Sequence, residues 1–280
     1  MFFIDTLKRL LRRLRPARND DAPAAATRGV GAGGAPRRRA LLIGNNYPGS
    51  SCPLSGCVND VNDVRDFLTA RTGWDVEVKT EATKLEIVQS LSKLALQSWT
   101  QGLDAVYIHY SGHGTQVRDA EGEEADGLDE ALCPADYETA GMVTDDFLNF
   151  IICGGFNPRT KVRAVFDACH SGSCLDLPYT CAGGKAAATR DRRARRPRGD
   201  VQLLSGCRDA QTSADSSYGG RAAGALTNSM LRVLRASPNA TSRQVLDGVH
   251  ALLAAEAAEQ FPLLSSALDP AAGATDAFLP

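Results

Sequence analysis

Apolar and polar positions along the chain follow two spacings, which predict strands that alternate with helices. Short apolar or alternating runs predict strands over 39–43, 74–78, 105–110, 161–166 and 201–204. Apolar residues at helical spacing predict helices over 58–68, 85–96, 145–152 (with Thr144 as N-cap), 226–234 and 245–253. This order predicts an α/β fold whose mostly parallel central sheet is covered by helices on both faces.

Two of the predicted strands end in short segments that carry a histidine or a cysteine close to glycine. The first is Tyr-Ser-Gly-His-Gly at 110–114, and the second is Asp-Ala-Cys-His-Ser-Gly at 167–172. The carboxyl ends of parallel strands line one edge of a sheet, and sites form at that edge. We therefore expect His113 and Cys169 to lie near each other.

Composition and charge narrow the class of protein. A chain of 280 residues can bury a large core and form one or two domains, and its formal net charge of −2 argues against bulk attraction to nucleic acid. The eight cysteines are spread unevenly through a long chain, unlike those of a small secreted disulfide scaffold. Reduced thiols in a cytoplasmic compartment are the simpler account, and a thiolate nucleophile requires them.

The composition of the first 38 residues predicts a flexible, arginine-rich arm. No apolar run is long enough to span a bilayer, and the apolar start at 2–4 is too short for a signal peptide. Residues 2–15 are basic and amphipathic, so they could touch an anionic membrane surface weakly or direct the chain to an organelle. Their composition favours a solvated arm instead. The ordered domain is expected at 39–280, with a flexible arginine-rich linker at 182–200.

The histidine and the cysteine suggest covalent catalysis by a thiolate. A nearby histidine can take the thiol proton as general base, which makes the sulfur a nucleophile. The backbone N–H groups of Gly114 and Cys169 could face a developing oxyanion. The alternative is that Cys169 is a small buried apolar residue and His113 a turn residue. Two glycine-flanked sites at strand ends favour the catalytic interpretation, although no third catalytic residue is evident.

These segments resemble the catalytic motifs of metacaspases, which are cysteine peptidases related to caspases. His113 precedes Cys169 by 56 residues, close to the offset found in caspases. Residues 54–60 resemble the early substrate-pocket motif, 126–130 the mid-chain acidic motif, and 204–215 the start of the small-subunit-like region. Together these motifs are far more specific than a single short pattern.

The resemblance covers roughly residues 39–255 and implies a fold and an architecture. The fold would be a caspase-like three-layer α/β/α sandwich. The protein would be a monomer with a catalytic dyad. A large-subunit-like region at 39–181 would precede the linker, and a small-subunit-like region at 201–280 would follow it.

The resemblance also implies cleavage after Arg or Lys, with the substrate side chain bound by Cys57, Asp60, Ser111 and Asp167. Residue chemistry supports this independently, because a pair of carboxylates attracts a guanidinium or ammonium group and repels an acidic one. Asp167 lies two residues before Cys169, so strand alternation places both on one face if the strand extends that far. Asp60 could instead be a carboxylate that interacts with the dipole at a helix N-terminus.

Four aspartates are implied to bind a calcium ion that activates the enzyme: Asp129, Asp145, Asp146 and Asp176. Carboxylate oxygens are the hard ligands that calcium prefers. The spacing is not that of an EF-hand loop, and composition alone would favour a solvated acidic loop.

A protease that cleaves after Arg and carries a flexible arginine-rich loop can cut itself there. The candidate positions are Arg190, Arg192, Arg193, Arg195, Arg196 and Arg198, with further ones in the arm at Arg28 and 37–39. An uncleaved, solvated linker is the alternative.

Two rival functions stay open. One is a catalytically silent relative that binds basic peptides or protein partners through the same pocket, although such a binder needs neither His113 nor Cys169. The other is an aspartate-specific caspase, which would need a basic pocket. A zinc site built on Cys169, His170, Cys174 and Cys181 is disfavoured, because paired Cys-x-x-Cys spacing is lacking.

Overall fold

The structure is a computed structural model, and it describes residues 35–71, 73–118, 127–169, 171, 174–184, 187–191, 194, 197–206, 215–218 (backbone only), 220–258, 260–269 and 276–280. Several sequence predictions concern residues outside these ranges: the arm at 1–34, residue 126 of the acidic motif, His170, the motif residues 207–214, and Arg192, Arg193, Arg195 and Arg196.

Strands and helices alternate along the chain. The strands are β1 (Arg38–Gly44), β2 (Trp74–Thr80), β3 (Ala105–Ser111), β4 (Gly114–Arg118), β5 (Leu128–Leu132), β6 (Val143–Thr144), β7 (Lys161–Asp167), β8 (Tyr179–Cys181), β9 (Thr189–Arg190), β10 (Val201–Ser205), β11 (Asp215–Tyr218), β12 (Arg221–Gly224) and β13 (Leu263–Ser266). The helices are α1 (Cys57–Thr69), α2 (Lys84–Thr100), α3 (Tyr137–Ala140), α4 (Asp145–Leu148), α5 (Ala225–Ala236) and α6 (Ser242–Ala255). The predicted strands correspond to β1, β2, β3, β7 and β10.

The central sheet has eight strands in the order β2-β1-β3-β7-β10-β13-β8-β9. Neighbours from β2 to β10 run parallel, whereas β13, β8 and β9 each pair antiparallel with the strand before them in this order. The prediction of a mostly parallel sheet is therefore confirmed. In the pairing of β3 with β7, Ser111 faces Asp167, so the chain leaves these two strands side by side.

Helices cover both faces of the sheet, and strand alternation divides the core between them. Along β1, Leu41 and Ile43 point to the face that α2 covers, and Ala40 and Leu42 point to the face that α1, α5 and α6 cover. Each face buries its own apolar cluster, so the predicted three-layer α/β/α arrangement is confirmed.

Local side chains fix where the helices begin. Thr83 and Glu86 form a reciprocal capping box before α2. Helix α1 has no such cap, and its first N–H groups are satisfied from outside: Asn46 Oδ1 accepts from the backbone N–H of Cys57 at 3.0 Å and of Val58 at 3.3 Å. This contact ties the start of α1 to the loop that follows β1.

The structure differs from the sequence prediction in several places. Strands β4, β5 and β6 form a small antiparallel sheet that was not predicted. The helix predicted over 145–152 is divided into α4 and a π-helical turn at Asn149–Cys153. Thr144 does hold the N-cap position, but its side chain makes no capping hydrogen bond. Within the predicted linker, Thr189–Arg190 pairs with β8, so part of this segment lies in the sheet.

The described cysteines form no disulfide with one another. No helix in the described ranges has both the length and the apolar character to cross a membrane.

Candidate active site

The segments that carry the predicted histidine and cysteine lie side by side at the carboxyl edge of the sheet. The N–H of Gly112 donates to the carbonyl of Asp167 at 3.3 Å, which continues the pairing of β3 with β7 past the last strand residues. Two residues further on, the backbone of Gly114 lies against Cys169: a Cβ atom on Gly114 would be 1.9 Å from the Cys169 carbonyl oxygen. Only glycine permits this approach, and it brings the segment of His113 onto that of Cys169.

The imidazole of His113 is oriented by a main-chain carbonyl. Its Nε2 lies 2.6 Å from the carbonyl oxygen of Cys52 in the loop between β1 and α1. A carbonyl oxygen can only accept a hydrogen bond, so Nε2 carries the ring proton and Nδ1 is the basic nitrogen of the neutral ring. The sequence did not reveal this partner, because a main-chain atom has no residue-type signature.

Tyr47 holds both the ring and the backbone of His113. The two rings are stacked with centroids 4.7 Å apart, and the phenol oxygen of Tyr47 accepts from the His113 N–H at 2.9 Å. The same hydroxyl donates to the carbonyl of Cys133 at 2.7 Å, and the Cys133 N–H donates to the carbonyl of His113 at 3.0 Å. Burial holds the pKa of Tyr47 well above its ordinary value, so the phenol keeps the proton that it donates.

The backbone of Tyr47 is itself constrained. Its φ of 52° lies in the left-handed region, which costs free energy in a tyrosine. The carboxylate of Glu81 accepts from the N–H groups of Asn46 and Tyr47 at 2.9 and 3.0 Å. This double contact stabilises the strained turn that presents Tyr47 to the imidazole.

Cys169 has a second thiol as a neighbour. Burial, with a smaller contribution from the charge of nearby Cys169, raises the pKa of Cys133 to about 12. Cys133 is 5% exposed, so it stays protonated, whereas Cys169 is only partly buried. Of these two neighbouring thiols, Cys169 is the one placed to react. The assignment of Gly114 and Cys169 as oxyanion donors stays a prediction.

The residues predicted to bind the substrate side chain are Cys57, Asp60, Ser111 and Asp167, and we call them the specificity pocket. All four are buried. The hydroxyl of Ser111 donates to Asp60 Oδ2 at 2.6 Å. Cys57 and Asp60 lie one turn apart at the start of α1, and Ser111 and Asp167 are paired across β3 and β7.

Gly224, the N-cap residue of α5, lies between the two carboxylates of the specificity pocket. Its N–H donates to both oxygens of Asp60, at 2.9 and 3.1 Å, and Thr227 in the first turn of α5 donates to Asp167 Oδ2 through its N–H at 2.9 Å. A Cβ on Gly224 would be 2.2 Å from Asp167 Oδ2 and 2.8 Å from Asp60 Oδ2. The positive end of α5 thus stabilises both negative charges.

Gly224 and Thr227 were not predicted as site residues. The signal that could have found them is a glycine directly before the helical pattern at 226–234, since a helix N-terminus supplies unsatisfied N–H groups. The alternative for Asp60, a carboxylate in the first turn of α1, also describes its position. Its hydrogen-bond partners show that it contacts Ser111 and Gly224 as well.

Three of the four predicted calcium ligands converge. One carboxylate oxygen each of Asp129, Asp145 and Asp146 lies within 4.8 Å of the others. The pKa of Asp145 is raised to about 8, mainly by burial; hydrogen bonds from the N–H groups of Asp146 and Glu130 act against this rise, and the charges of Asp176 and Asp129 contribute to it. Asp176 therefore lies near this group, although it is not one of the three. Crowded hard oxygen ligands of this kind fit a calcium ion.

Comparison with known proteins shows which family has this sequence. A family model described as metacaspase, peptidase C14 domain, matches residues 38–178. Metacaspase-1 of Mycosarcoma maydis is 33% identical over 285 residues, covering 82% of this chain and 70% of that protein. Metacaspase-1A of Neurospora crassa is 31% identical over 285 residues, covering 82% of this chain and 63% of that protein. The chain thus spans less than two thirds of the Neurospora relative.

A solved structure supports the fold. Protein GSU0716 from Geobacter sulfurreducens matches with a TM-score of 0.61 and 27% sequence identity, over 84% of this chain and 96% of that protein.

Proposed function

Because the chain belongs to the metacaspase family, a family of cysteine peptidases, we propose that it is an endopeptidase that cleaves peptide bonds after Arg or Lys. The observation that carries this proposal is the pair of buried carboxylates, Asp60 and Asp167, at the sheet edge from which His113 and Cys169 project. A guanidinium or ammonium group complements that pair, and an acidic side chain is repelled by it.

The proposed reaction uses the dyad in two steps. Nδ1 of His113 takes the thiol proton of Cys169, and the sulfur attacks the carbonyl carbon before the scissile bond. The C–N bond then breaks, and the imidazolium gives its proton to the leaving amine. Water hydrolyses the thioester with His113 again as base, which releases the carboxylic acid and restores the thiol.

A guanidinium group of the chain itself supports the preference for a cation. Arg221 at the start of β12 pairs with Asp63, with Nη1 2.7 and 2.6 Å from the two carboxylate oxygens. The hydrogen bond to Asp63 raises the pKa of Arg221, and the charge of Asp60 adds to this. Together with Asp60 and Thr227, these residues line a cleft beside the specificity pocket. The negative charges of Asp60 and Asp63 thus attract Arg221 to this cleft.

Fluorogenic peptides that differ only in the residue before the scissile bond test the specificity. We expect cleavage after Arg and Lys, at least 100-fold less after citrulline, the uncharged isostere of Arg, and none after Asp. The Cys169→Ala variant should bind the Arg peptide without cleaving it. A preference for Asp, or equal cleavage after Arg and citrulline, would contradict the proposal. Binding of the Arg peptide by the wild type without turnover would favour the silent binder.

We also propose that calcium activates the enzyme through Asp129, Asp145 and Asp146. A divalent cation would relieve the repulsion among these carboxylates. Asp129 pairs with Val117 of β4, and β4 begins at Gly114, directly after His113, so a cation at this cluster is linked to the dyad through one short strand pair.

Chelation tests the role of calcium. We expect turnover to be lost in excess chelator and restored by millimolar calcium, and we expect Asp145→Asn to abolish this response. Asp75→Asn removes an exposed carboxylate on the edge strand β2 and serves as the matched control. Full activity of the wild type in excess chelator would refute the role of calcium.

Self-processing in the segment 182–200 is the third part of the proposal. Of the two described candidate arginines, Arg190 lies in β9 with its guanidinium 5.8 Å from the ring centroid of Tyr179, whereas Arg198 is exposed and outside any strand. Proteases cut exposed loops more readily than paired strands, so we expect Arg198 to be cut before Arg190.

Mass spectrometry of the purified wild type beside Cys169→Ala tests self-processing. Fragments that end at arginines of this segment should occur only in the wild type, and Arg198→Gln should remove the fragment ending there while Arg190→Gln does not. The same fragments in Cys169→Ala would exclude self-cleavage.

A further inference from the structure

The face of β3 that carries Ser111 also carries a fully buried histidine. Side chains alternate along a strand, so Tyr107, His109 and Ser111 share one face, which α1 and α5 cover. His109 is 0% exposed, as expected for a packed residue. It belongs to neither the dyad nor the specificity pocket, and burying an imidazole costs free energy unless both ring nitrogens are hydrogen-bonded.

A line of hydrogen bonds connects this histidine to the specificity pocket. Tyr107 Oη lies 3.1 Å from His109 Nδ1, and His109 Nε2 lies 3.3 Å from Thr227 Oγ1. The Thr227 hydroxyl in turn donates to Asp167 Oδ2 at 2.8 Å, the oxygen that also accepts the Thr227 N–H. All four side chains are at most 4% exposed.

The protons along this line have one consistent direction. A hydroxyl has a single proton, and Thr227 directs it to the carboxylate, so His109 must donate from Nε2. Burial lowers the pKa of His109 to about 3, so the ring is neutral and its Nδ1 is an acceptor. The Tyr107 hydroxyl, which also lies 3.9 Å from Met230 Sδ, then donates to Nδ1. Every donor therefore points toward Asp167.

We propose that His109 and Thr227 are positioning residues that hold the carboxylate of Asp167 where it meets the guanidinium of the substrate. Pairing of a carboxylate with a guanidinium demands a defined orientation of the oxygens. The hydroxyl and N–H of Thr227 together fix one oxygen of Asp167, and His109 fixes the rotamer of Thr227. This inference rests on the proposed specificity for Arg or Lys.

Matched substitutions separate this role from simple packing. Thr227→Val removes the hydroxyl at nearly constant shape, and Thr227→Ser keeps it. His109→Leu removes the donor, and His109→Gln can still donate at the place of Nε2. The control is Ser229→Ala on the same helix, because Ser229 is 0% exposed and its hydroxyl has no hydrogen-bond partner among the described residues.

The readout is the split between KM and kcat for peptides ending in Arg and in citrulline. We expect Thr227→Val and His109→Leu to raise KM for the Arg peptide about tenfold or more, with a small effect on kcat and on the citrulline peptide. Thr227→Ser and His109→Gln should recover most of the loss, and Ser229→Ala should behave as the wild type. Binding of the same peptides to each variant in the Cys169→Ala background should follow KM.

The outcomes are distinguishable from failure of the proposed function. A wild-type enzyme that treats Arg and citrulline alike would overturn the specificity itself. A wild type that prefers Arg, beside a folded Thr227→Val with unchanged KM for the Arg peptide, would overturn the positioning role alone. Equal losses for the two peptides would show a structural role and overturn it too. Should His109→Leu not fold, Thr227→Val and its Ser counterpart decide the question.

Discussion

Replacing Gly224 by alanine is expected to remove the preference for Arg while leaving the dyad intact. The backbone at Gly224 has φ −68° and ψ 137°, which alanine adopts without strain. The effect must therefore come from the added Cβ atom, which would lie 2.2 Å from Asp167 Oδ2 and 2.8 Å from Asp60 Oδ2. Non-bonded heavy atoms pack at about 3.5 Å, so the carboxylate of Asp167 has to move by roughly 1 Å.

A displacement of this size sets the magnitude. Misplacing a substrate-positioning group by about 1 Å can cost about 100-fold in rate, or about 2.7 kcal/mol of transition-state stabilisation. We expect kcat/KM for an Arg peptide to fall by that factor, and kcat/KM for the citrulline peptide to change little. The weakened hydrogen bonds from Gly224 and Thr227 to the carboxylates should also lower the melting temperature by about 5 °C.

Steady-state kinetics with the two peptides, together with thermal unfolding, measure both effects. Gly199→Ala is the matched control: it precedes β10 at the opposite edge of the sheet, and its Cβ would lie 3.2 Å from the Pro158 carbonyl oxygen, a contact that small shifts relieve. We expect the control to match the wild type. A folded Gly224→Ala enzyme with the wild-type ratio of Arg to citrulline cleavage would refute the reasoning.

Three further predictions concern the imidazole, the proposed calcium site and the core. Tyr47→Phe keeps the stacked ring but leaves the partly buried N–H of His113 without its acceptor. This loss should cost about 1–3 kcal/mol in denaturant unfolding and lower kcat more than it raises KM; unchanged kcat would contradict the orienting role. The folded-state pKa of Asp145 is raised to about 8, so below that pH the carboxyl must lose its proton when calcium binds. Calorimetry should therefore show calcium affinity rising about tenfold per pH unit from pH 6 to 8, and folded stability without calcium should fall as pH rises toward 8. A calcium affinity independent of pH would exclude this coupling of proton loss to calcium binding. Arg163 is 1% exposed and pairs with Asp200 at 2.8 and 3.0 Å. In chemical denaturation, Asp200→Asn should therefore destabilise the fold by about 3 kcal/mol, because it leaves the buried charge of Arg163 uncompensated, and Arg163→Met should destabilise it by less. Equal losses in the two variants would argue against an uncompensated buried charge.

The sheet was predictable because its central strands are buried on both faces and therefore appear as apolar runs, as in Val106 to Ile108 and Ala164 to Phe166. The small sheet formed by β4, β5 and β6 was not predictable, because short strands with polar residues, such as Gly114–Arg118, give no alternating pattern of apolar and polar positions. The helix over 145–152 was found, but periodicity does not distinguish an α-helix from a π-helical turn. The type of secondary structure was therefore predicted correctly for the strands that are fully buried.

The site was predictable to the extent that side chains carry its chemistry. His113 and Cys169 were predicted from their places at strand ends, and Asp60 and Asp167 from charge and from the resemblance. The Cys52 carbonyl was not found, since any residue has one. The N–H donors at the start of α5 were also missed, because their contacts with Asp60 and Asp167 depend on the packing of a helix that lies 164 and 60 positions later in the chain.

The strand order of the central sheet determines what a processed form of this protein would be. Strands β7 and β8 precede Arg198 and strands β10 and β13 follow it, yet the sheet runs β7-β10-β13-β8. A cut after Arg198 would leave two interleaved polypeptides, with strands of the second lying between strands of the first. They would run as one particle on a native column and as two bands after denaturation. The dyad would stay on the first polypeptide, while Gly224 and Thr227 would belong to the second. The specificity pocket would then be a composite of two chains, and losing the second would leave the nucleophile in place without the donors that hold its two carboxylates.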